Sequence, residues 1–73
     1  MDPQANLQEQ ESILAILSKN RSGRAHRRLR ELREALLAWL NNGGFEPEWE
    51  QAPKARRYYS TIANVYFGRE ADR

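Results

Sequence analysis

The chain has 73 residues, seven aromatics, no cysteine and a formal net charge of +2. The absence of cysteine excludes disulfides, thiol chemistry and cysteine-built zinc sites. No apolar run approaches the ~20 residues that a membrane-spanning helix needs, and no secretory leader pattern precedes the first helix, so the expectation is a soluble cytoplasmic protein without a membrane partner.

The chain opens with Asp2-Pro3, a carboxylate cap followed by a proline where no amide is required. Leu7, Ile13, Leu14 and Leu17 form an apolar stripe that Ile16 broadens, while Gln4, Gln8, Glu9, Glu11 and Ser12 occupy much of the remaining surface. This pattern predicts a first helix over about residues 3–19, ended by Asn20. A short connection, Asn20-Arg21-Ser22-Gly23, then makes the next helix an antiparallel neighbour. That pairing is expected to bring Glu11 opposite Leu32 and Arg33, where its carboxylate would neutralise Arg30 or Arg33.

The second helix is expected over 23–41, with Ser22 as N-cap. Ala25, Leu29, Leu32, Leu36 and Trp39 recur at intervals of four and three residues, and Leu40 widens the stripe. Gly43-Gly44 is the stop, since a left-handed residue ends many helices. The front half of this helix is electrostatically unusual. Residues 19–30 hold Lys19, Arg21, Arg24, Arg27, Arg28 and Arg30 and no acid. Cations in the first turns oppose the helix dipole by on the order of a few tenths of a kcal/mol each. Local helix energetics therefore do not account for the cluster. Acidic residues elsewhere in the fold or an anionic partner must.

Residues 42–52 form a loop rich in glycine, proline and aromatics, Asn-Gly-Gly-Phe-Glu-Pro-Glu-Trp-Glu-Gln-Ala. Glu46-Pro47-Glu48-Trp49 suits a single helical turn with acids at its positive end. Phe45 and Trp49 are expected to plug the open end of the bundle near Trp39 and Leu40, or else to present an aromatic patch to a partner. A third helix is expected over 53–67 and stops at Gly68. Ala55, Tyr58, Tyr59, Ile62, Ala63 and Tyr66 share one face of it, and Arg57, Ser60, Thr61 and Asn64 share the other. The tail, 68–73, is expected to fray. If this helix returns along the second, Glu70 and Asp72 approach Arg24 and Arg28 and answer the cluster internally. The predicted architecture is one all-α domain, a small three-helix bundle with helices 1–2 as a hairpin and helix 3 after the aromatic loop.

Enzymatic chemistry has little to work with. His26 is the single histidine and stands among arginines without an orienting acid. The Glu46, Glu48, Glu50 run lacks the Asp/Asn/Gly positions of a calcium loop. Gly43-Gly44 lacks the Lys and Ser/Thr of a phosphate loop. No catalytic residue, metal, cofactor or small-molecule substrate is predicted. The leading expectation is a protein-interaction module, docking a protein partner or a second copy through Leu37, Phe45, Trp49 and Phe67. The alternative is nucleic-acid binding through Arg21, Arg24, Arg27, Arg28, Arg30 and Arg57, because arginine suits bidentate phosphate contacts. Against it stand the long connection between helices 2 and 3, which is unlike a helix-turn-helix turn, and the low net charge.

Overall fold

A computed structural model describes residues 1–62 of the chain. The described residues form three helices and no strand: α1 (Pro3–Leu17), α2 (Gly23–Asn41) and α3 (Pro53–Ile62), with a 3₁₀ turn at Trp49–Gln51 before α3. Helix α1 stops two residues short of the sequence expectation. The part of the third helix expected beyond residue 62 lies outside the described residues, as do Phe67, Glu70 and Asp72.

The caps follow the local chemistry. Asp2 accepts from the amides of Gln4 at 3.0 Å and Ala5 at 3.2 Å, and Pro3 occupies the first helical position. Ser22 Oγ accepts from Ala25 N at 3.1 Å. At the end of α2, Gly44 N donates to Trp39 O at 2.8 Å and Gly43 N to Leu40 O at 3.2 Å. These two bonds make a Schellman motif and satisfy two carbonyls that the helix leaves open. The adjacent glycines serve different needs. Gly43 has φ of 84°, a left-handed conformation that side chains with a Cβ disfavour. Gly44 needs its missing Cβ for space, because that atom would fall on the Trp39 indole.

Helices α1 and α2 form the hairpin, and α3 closes it. The main partners of α3 are α1 and the 3₁₀ turn, and it meets α2 where Arg33 lies over Tyr58 and Leu36 joins Ala55 and Tyr59 in the core. One core cluster joins Leu7, Leu36, Ala52, Ala55 and Tyr59, and a second joins Ile13, Leu29 and Leu32. Leu14 packs against both. The expected faces of α2 and α3 supply these residues. The face of α1 differs from expectation. Asn6 and Gln10 are buried, whereas Ile16 is 51% exposed. On a helical wheel Gln10 stands in the middle of the arc running from Ile13 through Leu17 and Leu14 to Leu7, so the core face of α1 is centred on a polar residue.

That residue is satisfied by a network. Gln10 Nε2 donates to Asn6 Oδ1 at 2.6 Å and to Tyr59 Oη at 2.9 Å. Tyr59 Oη donates to Gln10 Oε1 at 3.1 Å. Asn6 Nδ2 donates to the backbone oxygen of Leu32 at 3.1 Å. The network ties all three helices together and places Asn6 beside Leu32. Buried polar groups that find their partners specify one arrangement over others.

The expected register of Glu11 is corrected by this geometry. Glu11 faces neither Arg30 nor Arg33. Its carboxylate accepts from Lys54 N at 3.2 Å and Ala55 N at 2.8 Å, capping the first turn of α3. The acid of α1 that meets α2 is Glu9, which lies against Arg28. With Asn6 fixed at Leu32 by the buried network, Glu9 is the acid that falls at the arginine level, and Glu11 points to the third helix.

The loop does more than bridge. Glu48 N donates to Gln4 Oε1 at 2.6 Å, and Gln4 and Gln8 both donate to Gln51 Oε1, at 3.2 and 3.4 Å. The glutamines of α1 thus hold the loop across the start of that helix. Pro47, within this loop, is buried.

Candidate functional site

The two sets of residues singled out by sequence fare differently in the fold. Of the apolar set, Leu37 and Trp49 are half-buried and pack against the first core cluster. Trp49 lies 5.1 Å from Tyr59, ring to ring, at 47°, and its Nε1 donates to Glu46 Oε1 at 3.1 Å. Phe45 is 67% exposed. It meets Trp39 edge-on at 5.4 Å, while Trp39 Nε1 donates to Phe45 O at 2.9 Å. Phe67 lies outside the described residues. Trp39 and Leu37 leave α2 on nearly opposite sides, being two residues apart at roughly 100° per residue. Leu37 and Phe45 therefore do not form one patch. Trp49 acts mostly as the core plug, and Phe45 does not.

The basic set stays at the surface. Arg21, Arg24, Arg27, Arg28 and Arg30 are all exposed, Arg21 just before α2 and the others along its front half. Arg57 is also exposed, but on α3, outside this run. Glu9 answers one of them. Its carboxylate accepts from Arg28 Nε at 2.7 Å and Nη2 at 3.1 Å, a bidentate pair. Glu31 adds a longer contact at 3.5 Å to Arg28 Nη1. The hydrogen bond from Arg28 holds the Glu9 carboxyl below its ordinary range, and the same bond pushes Arg28 up. Both side chains are about half exposed, so solvent screens the pair and it adds little to stability.

Among the described residues, Arg21, Arg24, Arg27 and Arg30 have no carboxylate within 4.0 Å. Glu9 is taken by Arg28, and Glu11 is taken by the α3 amides. From Arg24 to Arg30 the helix advances about 9 Å. One strand of nucleic acid rises 3.4 Å per phosphate, so roughly three phosphates fall within that length.

A groove of about 360 Å³ opens on the flank of α2 that faces Tyr58. Arg33 lines it, with its guanidinium carbon 3.7 Å from the centroid of the Tyr58 ring. Arg33 Nε is buried and has no hydrogen-bond partner among the described residues. A buried donor left without an acceptor costs about 1–3 kcal/mol. Among the described residues no three His, Asp or Glu side chains gather at metal-binding distance, and none of the described helices is long and apolar enough to cross a membrane.

The residues that sequence reading missed are Asn6, Gln10 and Glu9. The wheel carries a signal for the first two, since they fill the gap between apolar positions of one arc. The choice of Glu9 over Glu11 has no such signal, because it depends on interhelical register. No protein-family model, curated protein or solved structure matches the chain.

Proposed function

We propose that the chain is a non-enzymatic binding module whose partner is a nucleic-acid backbone, held by the front of α2. The observation that carries this reading is the set Arg21, Arg24, Arg27 and Arg30, exposed and with no carboxylate within 4.0 Å among the described residues. Within the described residues the cluster opposes its own helix dipole and has no carboxylate within 4.0 Å, and an external anion is the complement this reading assigns to it. Arginine adds bidentate geometry suited to phosphate. We place protein docking, the leading expectation from sequence, second because Leu37 and Trp49, both half-buried, pack partly against the first core cluster.

The test is fluorescence anisotropy of a labelled 20-base-pair duplex titrated with the full chain between 50 and 200 mM salt. Three phosphate contacts predict a salt slope near −2.7 and roughly a fortyfold loss of affinity over that range. Substituting Arg24, Arg27 and Arg30 by alanine should remove most binding and flatten the slope. Affinity that ignores salt, or survives the triple substitution, refutes the proposal.

A second reading rests on Phe45 alone, exposed in the loop that continues with Glu46, Glu48 and Glu50. A large exposed aromatic ring is a candidate anchor for a protein partner or a second copy. Phe45→Ser then removes concentration-dependent light scattering while leaving duplex affinity unchanged. A chain that stays monomeric at all concentrations and binds duplex as described excludes the second-copy form of this reading.

A further inference from the structure

We propose that the groove between α2 and Tyr58 holds one unstacked nucleotide of a single strand. The inference rests on the nucleic-acid reading above and assigns a second, separable contact to it. The groove measures about 360 Å³, within the ~300–1,000 Å³ range of sites that enclose small molecules. Its chemistry is divided. Leu29, Leu37 and Tyr58 supply apolar and aromatic surface, and His26, Arg30 and Arg33 supply nitrogen donors. Those three follow one another at intervals of four and three residues, so they line one flank of α2 in successive turns.

Arg33 is the informative member. Its guanidinium carbon sits 3.7 Å from the Tyr58 ring centroid. Its Nε is buried and makes no hydrogen bond within the described residues. A guanidinium lying over a tyrosine ring gives the groove a cationic and aromatic wall, and its Nη donors suit the edge acceptors of a nucleobase. Arg30 belongs to both the groove and the exposed run that follows the backbone. A strand tracked along Arg24 and Arg27 can therefore turn a base into the groove at Arg30. Paired bases are stacked inside a duplex and cannot enter. The occupant is therefore a single strand. Glu34 is the one acid lining the groove among the described residues. A carboxylate accepts hydrogen bonds and favours a base with an exocyclic amino group, such as cytosine, over thymine.

The experiment compares labelled dC12, dT12 and a 12-base-pair duplex by anisotropy with the full chain at pH 7.5 and one salt concentration. Tyr58→Leu should weaken dC12 binding about tenfold, the usual size of one base–aromatic contact, and leave duplex affinity unchanged. His26→Ala, at an exposed position, should weaken dC12 without changing the fold. Glu34→Gln should erase the preference for dC12 over dT12. Proton NMR of the unmodified chain provides an arm that needs no variant, since the Tyr58 ring resonances should shift on addition of dC12 and stay in place with the duplex. Equal losses on single strand and duplex, or no loss on either, overturn the groove while leaving the basic run intact. Unmoved Tyr58 resonances at saturating dC12 overturn it as well. Loss of duplex binding in an Arg24→Ala, Arg27→Ala variant that keeps the dC12-induced Tyr58 shifts instead supports the groove as an independent site.

Discussion

Replacing Tyr59 by phenylalanine removes one oxygen from the centre of the molecule and tests the network that joins the three helices. The ring is 1% exposed and keeps its contacts with Trp49 and Tyr58 in the variant. The hydroxyl accepts from Gln10 Nε2 at 2.9 Å and donates to Gln10 Oε1 at 3.1 Å. Without it, Gln10 Nε2 retains Asn6 Oδ1, but Oε1 loses the donor shown for it. Gln10 is fully buried, so water does not replace the lost partner. An unsatisfied buried acceptor costs about 1–3 kcal/mol. For a chain of this size each kcal/mol moves Tm by roughly 4–8 °C, so a cost of about 2 kcal/mol lowers Tm by roughly 8–16 °C. Thermal and urea melts followed by circular dichroism measure it. The double variant Gln10→Met, Tyr59→Phe sharpens the test. Gln10→Met alone strands both the tyrosine hydroxyl and Asn6 Oδ1, whereas the double variant strands only the second. The double variant should therefore be more stable than Gln10→Met alone, which makes the coupling at least about 2 kcal/mol, the whole cost of Tyr59→Phe. Strict additivity of the two single effects, or a Tyr59→Phe melt within 2 °C of the unmodified chain, would show that the network does not act as drawn.

Burial pushes the Tyr59 hydroxyl up to about 12 from an ordinary value of 10.0. The folded state therefore holds this proton more tightly than the unfolded chain. The associated stability is fully present below pH 10 and lost as pH rises towards 12, a loss on the order of 2 kcal/mol. Urea melts at stepped alkaline pH should show that loss in the unmodified chain and a smaller one in Tyr59→Phe. At the α2 stop, Gly43→Asn should change stability little, because asparagine tolerates the left-handed conformation. Gly44→Asn should cost about 1–3 kcal/mol, because its Cβ collides with an indole that is tethered to Phe45; equal melts of the two variants would contradict that division of labour. Glu11→Ala should cost about 1 kcal/mol by uncapping α3, as read by urea denaturation. Glu9→Gln releases Arg28 from its bidentate partner and should tighten duplex binding, steepening the salt slope by about one; an unchanged slope would mean that Arg28 does not reach phosphate.

The all-α class, the three-helix architecture and the core faces of α2 and α3 are legible in the sequence because each is set by short-range rules. Leu29, Leu32 and Leu36 recur at the helical period, Asp2 and Ser22 cap through their own neighbours, and Gly43 ends α2 through a local backbone preference. These signals act within a few residues and need no knowledge of what lies across the core. Everything that depends on register between helices was decided by tertiary structure. Glu9 and Glu11 are alike in type and two residues apart, yet one meets Arg28 and the other caps α3. The choice follows from where Asn6 locks onto Leu32 and where Gln10 meets Tyr59, contacts spanning 26 and 49 residues of chain. No local pattern encodes such distances. Composition and period show that the front of α2 carries excess cations. Only the tertiary structure shows that Glu9 goes to Arg28 and Glu11 to the amides of α3, and that Arg21, Arg24, Arg27 and Arg30 have no carboxylate within 4.0 Å among the described residues.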